Sequence, residues 1–179
     1  MSKRDDIVTA AVEVFGRHGF RRTSMDLVAQ AAGVSRPALY QHFRNKRDVF
    51  TAVAARVADH MTEAARLARD AEGTSADRLY GVLSLKLEAA IGVAGARYRQ
   101  ELVAEAAAMG VTPLESGLVA ALADLLADTP DPSDTAALLL ASTAGIGQSE
   151  GTPEELRHRL RRLVELVVGG LGTPVRSGS

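Results

Sequence analysis

Residues 24–50, SMDLVAQAAGVSRPALYQHFRNKRDVF, constrain this chain more than any other stretch. Two short apolar-patterned segments flank Gly33, and a glycine suits a sharp reversal because a left-handed backbone is costly for any residue with a Cβ. Ser35 stands where the second segment needs an N-cap, and Pro37 falls in its first turn, where a missing N–H costs nothing. Asn45, with Asp48 three residues on, marks the start of a further helix. Two short helices joined by a tight glycine-containing turn form a helix-turn-helix, whose second helix is shaped to enter the major groove of DNA.

The flanking sequence completes a small head. A first helix is expected over about Arg4–Gly16, with Ile7, Ala10, Ala11, Val14 and Phe15 on one apolar face. Phe20 folds back onto the same core. Thr23 is expected to cap the next helix, with Asp26 as an acidic version of the capping box. Val28 and Ala31 then face inward, as do Leu39 and Phe43 on the helix after the turn. The Asn45-capped helix starts with Val49, Phe50 and Val53 against the head and runs through Val57 and Met61 to about Arg69, from the head into the body.

Helical patterning continues to the end of the chain. Gly73, Thr74 and Ser75 break it first, and a helix over about 76–92 follows with Leu79, Val82, Leu83, Leu87, Ala90 and Ile91 on one face. Further helices are expected up to Met109, over about 114–127, over 134–148 and over 154–171. The last carries the stripe Leu156, Leu160, Leu163, Val164, Val167 and Leu171. Its neighbour, 134–148, is almost entirely apolar or small. Two outcomes fit this pattern: the two helices close an internal bundle, or they pair with their copies in a second chain. The division expected is a DNA-binding head over 1–46, a helical body over 47–172 and a polar tail over 173–179.

Composition narrows the function classes. Across 179 residues, 46% are hydrophobic and 24% charged, so a packed core is expected and global disorder is not. With no cysteine, disulfides, thiolate metal sites and cysteine nucleophiles are excluded together. The four histidines show no metal-binding spacing. No apolar run reaches the ~20 residues of a bilayer span, and the N-terminus does not read as a secretory signal, so a cytoplasmic protein with no membrane partner is expected. Residues 1–50 hold nine Lys/Arg against five Asp/Glu, whereas 51–179 hold twelve against seventeen. A basic head on an acidic body suits a DNA-binding regulator, and a bland solvated surface gives the same modest asymmetry.

The stretch 20-FRRTSMDLVAQAAGVSRPALYQHFRNKRDVF-50 resembles the TetR family of bacterial transcriptional regulators. The family's Thr-Thr/Ser pair, its Ala-Gly-Val-Ser, its aromatic spacing as in Leu39-Tyr40-x-His42-Phe43 and its following lysine all stand at matching intervals. The resemblance covers roughly residues 5–50; beyond it only the helical layout is similar. It implies an all-α fold with an N-terminal three-helix DNA-binding head and a C-terminal helical body for ligand binding and dimerisation. It also implies a homodimer closed by the last two helices, bound to a double-stranded operator with inverted-repeat symmetry. Repression relieved by a small-molecule effector is the activity implied.

The resemblance assigns Thr23 and Ser24 to phosphate, a place where hydroxyls and free N–H groups at a helix start suit an anion. For Thr23 the role of a simple cap stands beside this. Tyr40 resembles the family tyrosine that touches the DNA backbone, and Leu39 pointing inward turns it toward solvent. Lys46 resembles the phosphate-contacting lysine. His42 is either a phosphate donor or a wall of the small core. Ser35 opens the recognition helix, whose solvent side offers Arg36, Pro37, Ala38 and Gln41 for base contact. Arg36 suits guanine, with phosphate as its other target, and Ala38 is small enough to lie against a thymine methyl.

In the body, polar groups within apolar helices are the candidates for effector contact: Glu88, Arg97, Tyr98, Ser142, Thr143 and Gln148. Each has a plainer reading as a surface or packing residue. No metal or cofactor is expected. An enzyme is disfavoured because no phosphate loop, nucleophile elbow or metal cluster occurs, and Glu154–Glu155 read as first-turn charges. The remaining rival is a helical interaction module that keeps the fold without an effector pocket.

Overall fold

A computed structural model describes residues 2–91, 96–110 and 115–171, apart from the side chains of residues 96, 97, 99 and 171. The described residues form an all-α fold: α1 (Lys3–Arg22), α2 (Met25–Ala31), α3 (Arg36–His42), α4 (Lys46–Arg69), α5 (Ser75–Ile91), α6 (Ala96–Ala108), α7 (Ser116–Leu125), α8 (Pro132–Gln148) and α9 (Pro153–Leu171). The chain forms two compact units. The described residues within 1–60 and 92–114 make the first, and those within 61–91 and 115–179 the second.

In the first unit, Ser2 caps α1 in a capping box with Asp5, and the helix continues beyond Gly16. Its break comes at Gly19, where φ is +74°, a conformation costly for any other residue. The core joins Ile7, Val8, Ala11, Val14 and Phe15 of α1 to Met25, Val28 and Ala29 of α2, Leu39 of α3, Phe43, and Val49, Phe50 and Val53 of α4. Met25, Val28 and Ala29 are the inward residues of α2, and Ala31, expected inside, is exposed. Phe15, Phe20 and Phe50 meet with ring centres 5.0–6.1 Å apart, two of the three contacts edge-on.

Residues 47–172 are expected to form one body, but α6 packs on α1 within the first unit. The reason is local. The turn at Gly19 leaves the Arg21 N–H outside the helix ladder, and Glu101 Oε1 accepts it at 2.8 Å. A Cβ on Gly19 would lie 2.8 Å from the Tyr98 ring, so the glycine also lets α6 approach. Leu102, Ala106 and Met109 add apolar contact to the same core.

The second unit is a bundle with α5 in the middle, packed against α7, α8 and α9. Leu79, Val82, Leu83 and Leu87 of α5 are fully or nearly fully buried. They meet Leu118, Ala121 and Leu122 of α7, Ala136, Leu139 and Leu140 of α8, and Leu156, Leu160 and Val164 of α9. Gly147 brings α8 close to α5, for a Cβ there would stand 2.6 Å from Ala90 Cβ.

Candidate nucleic-acid interface

The interface grows from two N-caps and one glycine. Ser24 Oγ accepts the Leu27 N–H at 3.2 Å, and Ser35 Oγ accepts the Ala38 N–H at 3.3 Å. Between them Gly33 has φ +61° with open space around its Cα, so the turn needs glycine for its backbone and not for room. Pro37 lies in the first turn of α3. Leu39 is completely buried, which fixes the rotation of this helix. Arg36, Pro37, Tyr40, Gln41 and His42 are exposed as a result, and Ala38 is half-buried.

Capping differs from the expected pattern by one residue. Ser24, not Thr23, is the N-cap of α2. Thr23 is buried and its hydroxyl donates to the Gly19 carbonyl at 2.7 Å, closing the turn at the end of α1. A buried hydroxyl so engaged has no way to reach a phosphate, and its assigned role falls away. Ser24 stays exposed, and a serine oxygen that accepts a cap N–H still has its own proton to donate. Asp26 completes no capping box. It faces Arg36 across the turn, with Oδ1 3.1 Å and Oδ2 3.2 Å from Nη1.

Two basic residues of the interface hold internal partners. Arg36 lies over the Tyr40 ring at 5.7 Å, and Tyr40 together with Asp26 raises its pKa above arginine's usual range. Lys46 Nζ donates to the carbonyls of Phe20 at 2.8 Å and Arg21 at 3.3 Å and sits 4.5 Å above the Phe20 ring. It thereby places positive charge at the carbonyl end of α1, where the helix dipole favours it. Beside it, Asn45 caps α4 through the Asp48 N–H at 3.0 Å. Arg44 forms a two-pronged pair with Asp48, holding that carboxyl below its ordinary range. His42 is exposed and so is not a wall of the core.

The six candidates for effector contact are divided between the two units. Glu88 is exposed and forms a bidentate pair with Arg157 at 2.6 and 2.9 Å, which lowers its pKa. Thr143 is buried, and its hydroxyl is satisfied by the Leu139 carbonyl one turn earlier at 2.8 Å. Tyr98 belongs to the first unit, where its hydroxyl accepts from Arg22 Nη1 at 2.5 Å. Ser142 is half-buried, Gln148 is the exposed last residue of α8, and the Arg97 side chain lies outside the described residues. Two open clefts flank α1 and α2, of about 330 and 180 Å³, and among the described side chains none of these candidates lines either.

The stripe assigned to dimerisation also turns out differently. Leu156, Leu160 and Val164 are buried in the chain's own core, and Leu163 and Val167 pack against it. Leu171 has its side chain outside the described residues. A period of 3.6 identifies an apolar face without saying which partner covers it. Among the described residues, the large apolar side chains left exposed on α8 and α9 are Leu138 and Leu166.

Comparison with known proteins bears on the head and on the fold separately. Residues 7–53 match the family model described as bacterial regulatory proteins, tetR family. The HTH-type transcriptional activator FasR of Mycolicibacterium smegmatis is 41% identical over 66 residues, which cover 37% of this chain and 30% of that protein. The HTH-type transcriptional regulator AcrR of Shigella flexneri is 40% identical over 50 residues, 28% of this chain and 23% of that protein. The matched part therefore spans less than a third of each of these relatives. The fold extends further. A fatty acid degradation regulator, FadR from Bacillus halodurans, superposes with a TM-score of 0.74 over 92% of this chain and 95% of its own, at 18% identity. A transcriptional regulator from Rhodococcus sp. gives 0.71 over 97% and 100%, at 24% identity.

Proposed function

We propose that this chain, whose residues 7–53 match the tetR family of bacterial regulatory proteins, is a sequence-specific DNA-binding transcriptional regulator acting as a homodimer on an inverted repeat. The observation that carries this reading is the rotation of α3. Burial of Leu39 turns Arg36, Pro37, Tyr40 and Gln41 outward together, as a helix seated in a major groove requires. In this reading Arg36 and Gln41 read base edges and Ala38 lies against a thymine methyl, while Ser24, Ser35, Tyr40, His42 and Lys46 position the backbone. The regulator acts as a repressor by occupying a promoter.

Dimerisation in this reading uses α8 and α9, which pack together in the second unit. Ala137, Leu138, Ala141 and Gly145 recur at helical spacing on the exposed side of α8, and Leu166 stands exposed on α9 beside Gly169. Small residues permit close helix approach, and the two leucines supply the apolar anchors. Release by a small-molecule effector enters through the family resemblance alone.

The test is a gel shift with the DNA upstream of the protein's own gene, followed by substitution. Tyr40→Ala should weaken binding to specific and scrambled duplexes alike. Arg36→Ala should cost about 1–3 kcal/mol at one base pair and relax preference there. Full affinity and full selectivity in the Arg36 variant would remove its assignment. A reporter placed behind the same DNA should rise when the gene is deleted; a fall would make the protein an activator.

A further inference from the structure

The pair Asp26–Arg36 has a geometry that suits a job in recognition. Both carboxylate contacts fall on one nitrogen of the guanidinium, Nη1, at 3.1 and 3.2 Å. Arginine offers two parallel-donor edges, one ending in Nη1 and Nη2 and the other in Nε and Nη2. Asp26 takes hold at the far corner of the first and leaves the second in place. Tyr40 is the second neighbour of the group, its ring centre 5.7 Å from the guanidinium carbon. Both partners are more than half exposed, so as a contribution to stability the pair is weak.

We propose that Asp26 is a specificity-determining residue: it holds Arg36 by Nη1 so that the Nε/Nη2 edge is presented to a guanine and the charge is not given to the nearest phosphate. This rests on the proposed DNA-binding reading. A free arginine on a recognition helix finds phosphate on any sequence, because phosphate attraction carries no sequence information. Paired with Asp26, Arg36 adds no net charge to that attraction, and leaving the pair for a phosphate strands the carboxylate beside a polyanion. A guanine, with O6 and N7 side by side, can be bound by the remaining edge without breaking the pair. The acid thus lowers affinity for all DNA and raises the fraction of it that depends on sequence.

The experiment uses the full chain and two duplexes of equal length, one selected by the unaltered protein from a randomised pool and one scrambled. Binding is followed by fluorescence anisotropy across a salt series. Asp26→Asn should bind the scrambled duplex more tightly and lose about tenfold in discrimination, the worth of one good base contact. Its log K against log salt should steepen by roughly 1 on the scrambled duplex, as Arg36 takes a phosphate. Asp26→Glu, which keeps the charge within reach, should restore discrimination. Glu13→Gln removes the same charge from an exposed site on α1 and should leave discrimination unchanged. In an Arg36→Ala background, Asp26→Asn should behave as Glu13→Gln does. Equal effects of Asp26→Asn and Glu13→Gln, or an Asp26 effect that persists without Arg36, would overturn the proposal while leaving DNA binding intact. Failure of the unaltered chain to favour the selected duplex would overturn the DNA-binding reading, and this role of Asp26 with it.

Discussion

The ammonium of Lys46 lies 2.8 Å from the carbonyl oxygen of Phe20 and 4.5 Å from the centre of the Phe20 ring. One side chain thereby ties the first turn of α4 to the end of α1, and α4 starts directly after the recognition helix. Lys46→Ala should therefore cost stability as well as DNA affinity, by about 1–2 kcal/mol for the lost charged hydrogen bonds. Urea unfolding in the absence of DNA checks this. An unaltered midpoint would mean the contacts contribute nothing in solution and that Lys46 serves DNA alone.

Two glycines of the head have positive φ for different reasons. At Gly33 the backbone is left-handed but the space is open, so Gly33→Ala should cost roughly 1–2 kcal/mol. At Gly19 a Cβ would also press on the Tyr98 ring at 2.8 Å, and Gly19→Ala should cost roughly 2–4 kcal/mol. Branched Gly33→Val should abolish DNA binding altogether. Denaturant midpoints for the alanine pair rank the two sites, and a smaller loss at Gly19 would mean α6 does not approach as closely as described.

Acid should loosen the protein in a defined direction. Hydrogen bonds from Arg44 lower the Asp48 pKa, those from Ser2 lower Asp5, and those from Thr74 lower Asp77, each from an ordinary value of 3.8. Because the folded values lie below the unfolded ones, this stabilisation is present above pH 3.8 and is lost as pH falls through the depressed values. Thermal midpoints should fall below about pH 4, and Asp48→Asn should flatten that fall. A midpoint that stays constant down to pH 2 would contradict the pairing.

The last helix has two faces with opposite expectations. Leu160 is completely buried in the chain's own core, so Leu160→Ala should cost about 2–5 kcal/mol of folding stability. Leu166 and Leu138 are exposed, and changing both to Glu should leave the fold intact while shifting sedimentation toward monomer. A tight dimer in that double variant would place the interface elsewhere.

The head was legible in the sequence because its signals are local. Gly33, the Ser35 and Asn45 caps, Pro37 and the burial of Leu39 and Phe43 each follow from residues within a few positions. The cap expected at Thr23 lies at Ser24 because both hydroxyl residues can cap a helix, and the Gly19 carbonyl, which takes the Thr23 hydroxyl, decides between them. The long-range features were not legible. Asp26 and Arg36 stand ten residues apart on different helices, Glu88 and Arg157 sixty-nine, and both pairings depend on how helices cross. The docking of α6 on α1 had one trace in the sequence, the glycine at position 19, whose second duty as a gap for Tyr98 shows only in three dimensions.

The central claim is that the outward face of α3 reads DNA sequence, and selection from a pool of randomised duplexes tests it most directly. Sequencing the duplexes retained by the full chain should reveal an enriched inverted repeat, with a guanine in each half whose enrichment is lost in the Arg36→Ala protein. Half-sites should be centred about one helical turn, or a multiple of it, apart, roughly 10 bp per turn. A retained pool indistinguishable from the input, or one unchanged by substitution of Arg36, Tyr40 and Gln41 together, would contradict the account.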